Sequence, residues 1–216
     1  TGLGEKLGIF GINYSFKEHQ QTAERAKGKT HTLRRPELEE ANMHVLEANE
    51  VLQRKIPEKE YTYNLLRRNW FQVKNADAIY AIGDITRAKD VRNVEQQGTI
   101  NKTLKGGTGW AVQMAVNNAK PVYVYDVPTR RWHDYNYSAN RFRVIEEPPK
   151  PPRRWAGIGK RFTKEGGEIP PHVTEAISSF LGKHFKGVPV KKAKEEIKDL
   201  TDKLERGDVT KPYIKH

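Results

Sequence analysis

The segment Gly106-Gly107-Thr108-Gly109-Trp110-Ala111-Val112-Gln113 constrains this chain more than any other. It follows an apolar run, 78–82, and a long polar loop. It opens an apolar-periodic stretch, and residues 121–125 then read as another strand. Strand, glycine turn, helix, strand is a layout in which the N–H groups at a helix start can hold an anion. Those groups lack partners inside the helix, and the helix dipole adds positive potential. Glycines let a phosphate come close to the backbone.

The rest of the chain supports that layout. Residues 9–16 read as a short strand, and 17–35 as a polar loop with turn signals at Gly28 and Thr30. Pro36 suits a helix start. Leu38, Ala41, Val45, Ala48 and Leu52 then recur at helical spacing. A second helix is expected over 61–75, and a buried strand over 78–82 ending at Gly83. The helix after the glycines is expected to bury Val112, Ala115, Val116 and Ala119. Residues 131–137 and 140–145 form a hairpin pattern, 148–154 (PPKPPRR) an extended linker, 155–159 a strand and 171–185 a helix. Val190, Ala193, Ile197, Leu200 and Leu204 make a C-terminal apolar stripe stopped by Gly207.

Alternating strands and helices imply an α/β fold: a Rossmann-like three-layer sandwich with a mostly parallel sheet, plus a β-hairpin and a C-terminal helical extension. The expected organisation is one domain over 1–185, with a hairpin insertion at about 128–147 and a Pro-rich linker at 148–154. A helical extension over 186–216 follows. Ligands of such sheets sit beyond the carboxyl ends of the strands. Gly83, the turn 106–109 and Asp126 all follow strands and are expected on one rim.

Charge narrows the partners. The formal net charge is +12, which favours polyanions such as nucleotides, nucleic acid or acidic protein surfaces. Residues 128–161 carry nine Lys/Arg against three Asp/Glu, a local net of +6. Zero cysteines exclude disulfides and thiolate metal sites and suit a reducing compartment. The seven histidines show no ligand spacing, so no metal is expected. No run is long and apolar enough to cross a membrane. A soluble, intracellular protein is expected. Because Thr1 is not methionine, two locations stay open: the cytoplasm or, after removal of a transit peptide, the mitochondrial matrix.

Four pieces in order resemble the SLOG superfamily, the Rossmann-like group that includes LOG phosphoribohydrolases and the DNA-processing protein A domain. They are Leu66-Arg67-Arg68-Asn69-Trp70; Asn75-Ala76-Asp77-Ala78-Ile79-Tyr80-Ala81-Ile82-Gly83; Gly106-Gly107-Thr108-Gly109; and Lys120-Pro121-Val122-Tyr123-Val124-Tyr125-Asp126. A further piece, Ala156-Gly157-Ile158-Gly159-Lys160-Arg161, resembles the glycine–arginine turn that opens the first helix of such domains. Its late position resembles a circularly permuted, divergent member. Two departures stand out. The Ser-Gly-Gly loop expected before a helix near Thr1 is absent. LOG enzymes read Gly-Gly-x-Gly-Thr-x-x-Glu, whereas this chain has Trp110 and Gln113 at the last two conserved places. An amide cannot act as a carboxylate acid or base, so the resemblance implies binding rather than LOG-type hydrolysis.

The leading expectation is therefore a nucleotide or nucleotide-derived ligand. Gly106, Gly107, Thr108 and Gly109 would meet its phosphate, with Arg68 as counter-charge and Gly83, Gln113 and Asp126 nearby. Gln113 equally suits a structural hydrogen bond, and Asp126 an ordinary strand-end turn. The alternative is a non-catalytic accessory subunit of a larger assembly, one that contains nucleic acid or sits in mitochondria, docked through the C-terminal helix. An active N-glycosidase is a third. Arg130, Arg131, Trp132, Arg141 and Arg143 are candidates for RNA or DNA, because cations can follow phosphates while rings stack on bases. The bland reading is a hairpin with a solvated basic face and a packed aromatic face.

Overall fold

A computed structural model describes residues 9, 11–17, 19, 29–91, 93–162 and 168–185. The chain divides into two units, Thr1–Arg34 with Ile177–His216, and Arg35–Ala176. The expected C-terminal extension over 186–216 and the helix end near Thr1 lie outside the described residues.

In the first unit, β1 (Ile12–Phe16) and β2 (Lys29–Leu33) pair in parallel, from Ile12 opposite Lys29 to Phe16 opposite Leu33. Strand β2 corrects the loop expected over 17–35. Its sequence KTHTL has only one aliphatic residue, Leu33, but Thr30 and Thr32 are β-branched and suit a pleated ribbon.

The second unit is mixed α/β. Helices α1 (Arg35–Leu52) and α2 (Glu60–Lys74) lead into β3 (Ala78–Gly83). A loop with two 3-10 turns, Ala88–Asp90 and Glu95–Thr99, precedes α3 (Gly106–Asn117) and β4 (Val122–Asp126). The hairpin β5 (Arg131–Asn136) and β6 (Arg141–Ile145), strand β7 (Trp155–Gly159) and helix α4 (Pro171–His184) follow. Helix α4 crosses the boundary between the units.

The five strands run in the order β6-β5-β4-β3-β7. The joins β4–β3 and β3–β7 are parallel, and β4–β5 and β5–β6 antiparallel. The sheet is thus mixed, where a mostly parallel one was expected. The hairpin is the reason: it pairs directly along β4 and extends the sheet. Its turns carry their own chemistry. Arg130 and Asn140 have left-handed backbones (φ 57 and 48), and Asn136 Oδ1 accepts the Ala139 N–H at 2.8 Å.

By register, Ile79, Ala81, Val122 and Val124 share one sheet face, and all are buried. Helix α3 contacts β3 and β4 and is itself flanked by α1 and α2. Residues Thr108 to Ala115 are all buried, so α3 is a central helix rather than an amphipathic surface one. Of its expected stripe, Val112 and Ala115 are buried, Val116 is half-buried, and Ala119 is exposed beyond the helix end with φ 52. Among the described residues no helix is long and apolar enough to cross a membrane.

Candidate functional site at the start of helix α3

The three parallel strands end together, and Asp126 with the residues just beyond the strand ends, Asp84 and Lys160, builds a polar rim. Gly83 stands opposite Asp126. A Cβ on Gly83 would lie 2.7 Å from the Leu104 side chain and 3.6 Å from Thr108, so this glycine lets the loop and α3 close onto β3. Gly83, Thr108 and Asp126 are thus neighbours, as the sequence order implies.

The glycine turn divides into two kinds of position. Gly106 has φ +66, a conformation that favours glycine. A Cβ on Gly109 would sit 2.0 Å from the Leu104 carbonyl oxygen and 2.8 Å from Arg54, so close packing demands glycine there. Thr108 and Gly109 are buried, whereas Gly106 and Gly107 are exposed. Gly107 meets neither constraint: its φ is not positive, and a Cβ would find nothing within 4 Å.

The cation at the turn is Arg54, which the sequence did not single out. It donates to the Gly106 carbonyl at 2.9 Å and to the Leu104 carbonyl. Burial lowers its pKa. Arg68 instead lies half-buried on α2, next to Asn69, whose Nδ2 is 3.5 Å from the Gly107 carbonyl. A hollow of about 150 Å³ opens beside the turn, lined by Arg54, Thr86, Asp90, Gln96, Lys105 and Gly106. Lys105 donates to Asp90 at 2.9 Å and lies 3.9 Å from Asp84, which Lys160 holds at 2.8 and 2.9 Å. The Lys105 hydrogen bond keeps the Asp90 carboxyl below the usual range. Three cations and two carboxylates leave this rim one charge positive before the helix dipole is added. Lys160 ties the end of β7 to the rim, and the next described helix begins at Pro171.

Two expected ligand residues are engaged within the fold. Asp126 is fully buried. Its Oδ1 accepts the Ile85 N–H at 2.9 Å, and its Oδ2 accepts from Arg87 and Thr129. The carboxylate braces the loop after β3 and the turn after β4. Gln113 is buried on α3 and donates to Asn117 Oδ1 at 2.7 Å. Both match the structural alternatives that their residue types allow.

The hairpin rings are packed. Trp132 meets Tyr125 edge-on at 5.4 Å, and Phe142 meets Tyr135 at 5.1 Å. Arg130, Arg131, Arg141 and Arg143 are exposed, but Arg143 is held by Asp134 through two bonds of 2.7 and 2.8 Å. Phe142 is buried and Trp132 half-buried, so the hairpin presents its arginines beside rings that already pack within the fold. Among the described residues no group of three His, Asp or Glu side chains gathers as a metal site.

No family model, curated protein or solved structure matches the chain.

Proposed function

We propose that this chain binds a phosphate-bearing ligand of the nucleotide class. The phosphate sits on the N–H groups at the start of α3, as in a SLOG-type, Rossmann-like sandwich, and no LOG-type hydrolysis follows. One observation carries the reading. Gly107 is the glycine of the turn that the fold itself does not require. A helix-start glycine is less favourable than alanine by up to about 1 kcal/mol, and an approaching ligand is a reason to keep it. The hollow fits this ligand class only in part. Sites that enclose a whole small molecule span roughly 300–1,000 Å³. The space of about 150 Å³ reaches the turn at Gly106, so the proposed ligand would have its phosphate at the mouth of this hollow and its base near solvent.

The test is calorimetric titration of the chain and of Gly107→Ala with a panel of nucleoside monophosphates. The alanine variant is expected to be as stable as the parent or more so, and to bind at least about tenfold more weakly, a loss of about 1.4 kcal/mol. Equal affinity in the two proteins refutes the reading. No free base is expected to be released during the titration, because Gln113 is an amide hydrogen-bonded inside the helix.

A second reading, a non-catalytic accessory subunit, is favoured by one observation. Asp126 and Gln113, the two polar side chains expected to face ligand, both serve internal contacts. Folds can keep their architecture while their sites change use.

A further inference from the structure

The two edges of the five-stranded sheet are built differently. At one edge β6 is guarded. Its Phe142 N–H donates to the Asn101 carbonyl at 2.8 Å, and Arg141 and Arg143 are exposed along it. Charged side chains and a covering loop are usual protections of an edge strand. At the other edge β7 pairs only with β3 among the described residues. Its sequence WAGIG has no charge and no proline, and glycine holds two of its five positions.

The ladder shows which backbone groups are open. The Asp77 N–H donates to the Arg154 carbonyl at 2.8 Å, and the Lys160 N–H donates to the Ile82 carbonyl at 3.0 Å. The even-numbered residues of this stretch therefore turn their backbone toward β3. Backbone groups alternate in direction along a strand, so Gly157 and Gly159 turn theirs outward, and both residues are exposed. The fold accounts for only one of these glycines. A Cβ on Gly157 would lie 3.2 Å from the Trp155 ring, whereas Gly159 has no positive φ and nothing within 4 Å of a Cβ. A glycine inside a strand weakens it and often marks the close approach of another backbone.

Charge selects the occupant. Residues 148–161 hold five Lys/Arg and no Asp/Glu, and Arg153 and Arg161 are exposed beyond the two ends of β7. A second copy of β7 laid along the first, in either direction, would set these cations against each other. We propose that the open edge of β7 takes an extended acidic peptide segment of a partner protein, which adds to the sheet as a sixth strand. The outward groups of Gly157 and Gly159 supply main-chain hydrogen bonds, and Arg153 and Arg161 attract the carboxylates. No ligand at α3 is needed for this contact.

The probe is an end-capped peptide of about ten residues, the upper length of common strands, that alternates Glu and Val. A Lys/Val peptide of the same length is the control. Amide exchange of the whole chain is followed by NMR at about 50 mM and about 0.5 M salt. The Glu/Val peptide is expected to slow exchange saturably at the Gly157 and Gly159 amides, with weaker binding at the higher salt. Ala156 and Ile158, whose N–H groups face β3, should change little. Gly159→Pro removes one outward donor and no bond to β3, and should weaken binding at least about tenfold. Arg153→Glu with Arg161→Glu should do the same, and circular dichroism of both variants controls for folding. Absence of binding, binding that leaves both glycine amides unprotected, or equal protection by the Lys/Val peptide overturns the proposal. Unchanged affinity in both folded variants overturns it too, as does protection of these amides by a single-stranded oligonucleotide and not by the Glu/Val peptide.

Discussion

At the scale of the residue, neighbouring glycines of one turn do different work. Gly109 is fixed by the Leu104 carbonyl, while Gly107 has open space around it. Gly109→Ala should therefore lower stability by about 1–3 kcal/mol, the usual cost of forcing atoms into a packed site. Urea midpoints of Gly107→Ala and Gly109→Ala should move apart, and equal midpoints would contradict this assignment. Histidines give a second test. His44 stacks on Trp70 and His133 is buried in β5, and burial lowers the pKa of each from 6.5. Glu47 and Glu40 raise and Lys74 lowers the first, while Asp126 raises and Arg87 and Arg131 lower the second, without reversing either shift. For a depressed folded pKa the contribution is complete above the unfolded value and is lost as pH falls. Stability should thus decline as pH falls below about 6.5, and His44→Gln with His133→Gln should flatten that slope. An unchanged slope in the double variant would show that other groups set it.

At the scale of the element, what the sequence revealed was what local chemistry decides. Pro36 marked the start of α1, and two strand-like runs around Ser138-Ala139-Asn140 marked the hairpin. The glycine run marked the start of α3. Long-range polar pairs were not legible. Asp126 is bound by Ile85 and Arg87, about forty residues earlier in the chain, and Arg54 reaches Gly106 across fifty-two residues. Nothing in the residues around 54 announces that contact. Lys120 is a third case. Its Nζ donates to the carbonyls of Val73 at 2.7 Å, Lys74 at 3.1 Å and Ala76, which completes the C-terminal end of α2. Lys120→Met should leave those carbonyls without this donor and cost about 2 kcal/mol. Chemical denaturation measures it, and a change within error would mean that solvent replaces the ammonium at no cost.

At the scale of the whole molecule, the second unit sets an open helix start at the carboxyl rim of three parallel strands. Arg54, Lys105 and Lys160 surround it, and Asp84 and Asp90 partly balance them. The rim was legible as a place, because strand ends and glycines are local signals. Two of its cations were not, because Arg54, just after α1, and Lys160, just after β7, come from distant parts of the chain, whereas Lys105 directly precedes Gly106. The order of motifs suggested a ligand, and the geometry narrows the proposed contact to a phosphate on the backbone of α3. Amide chemical shifts of the isotope-labelled chain, followed by NMR during titration with inorganic phosphate and then a nucleoside monophosphate, test that claim most directly. The account predicts saturable shifts that are largest at the Gly107 and Thr108 amides and reduced in Gly107→Ala. Shifts confined to the hairpin arginines, or none at the start of α3, would contradict it.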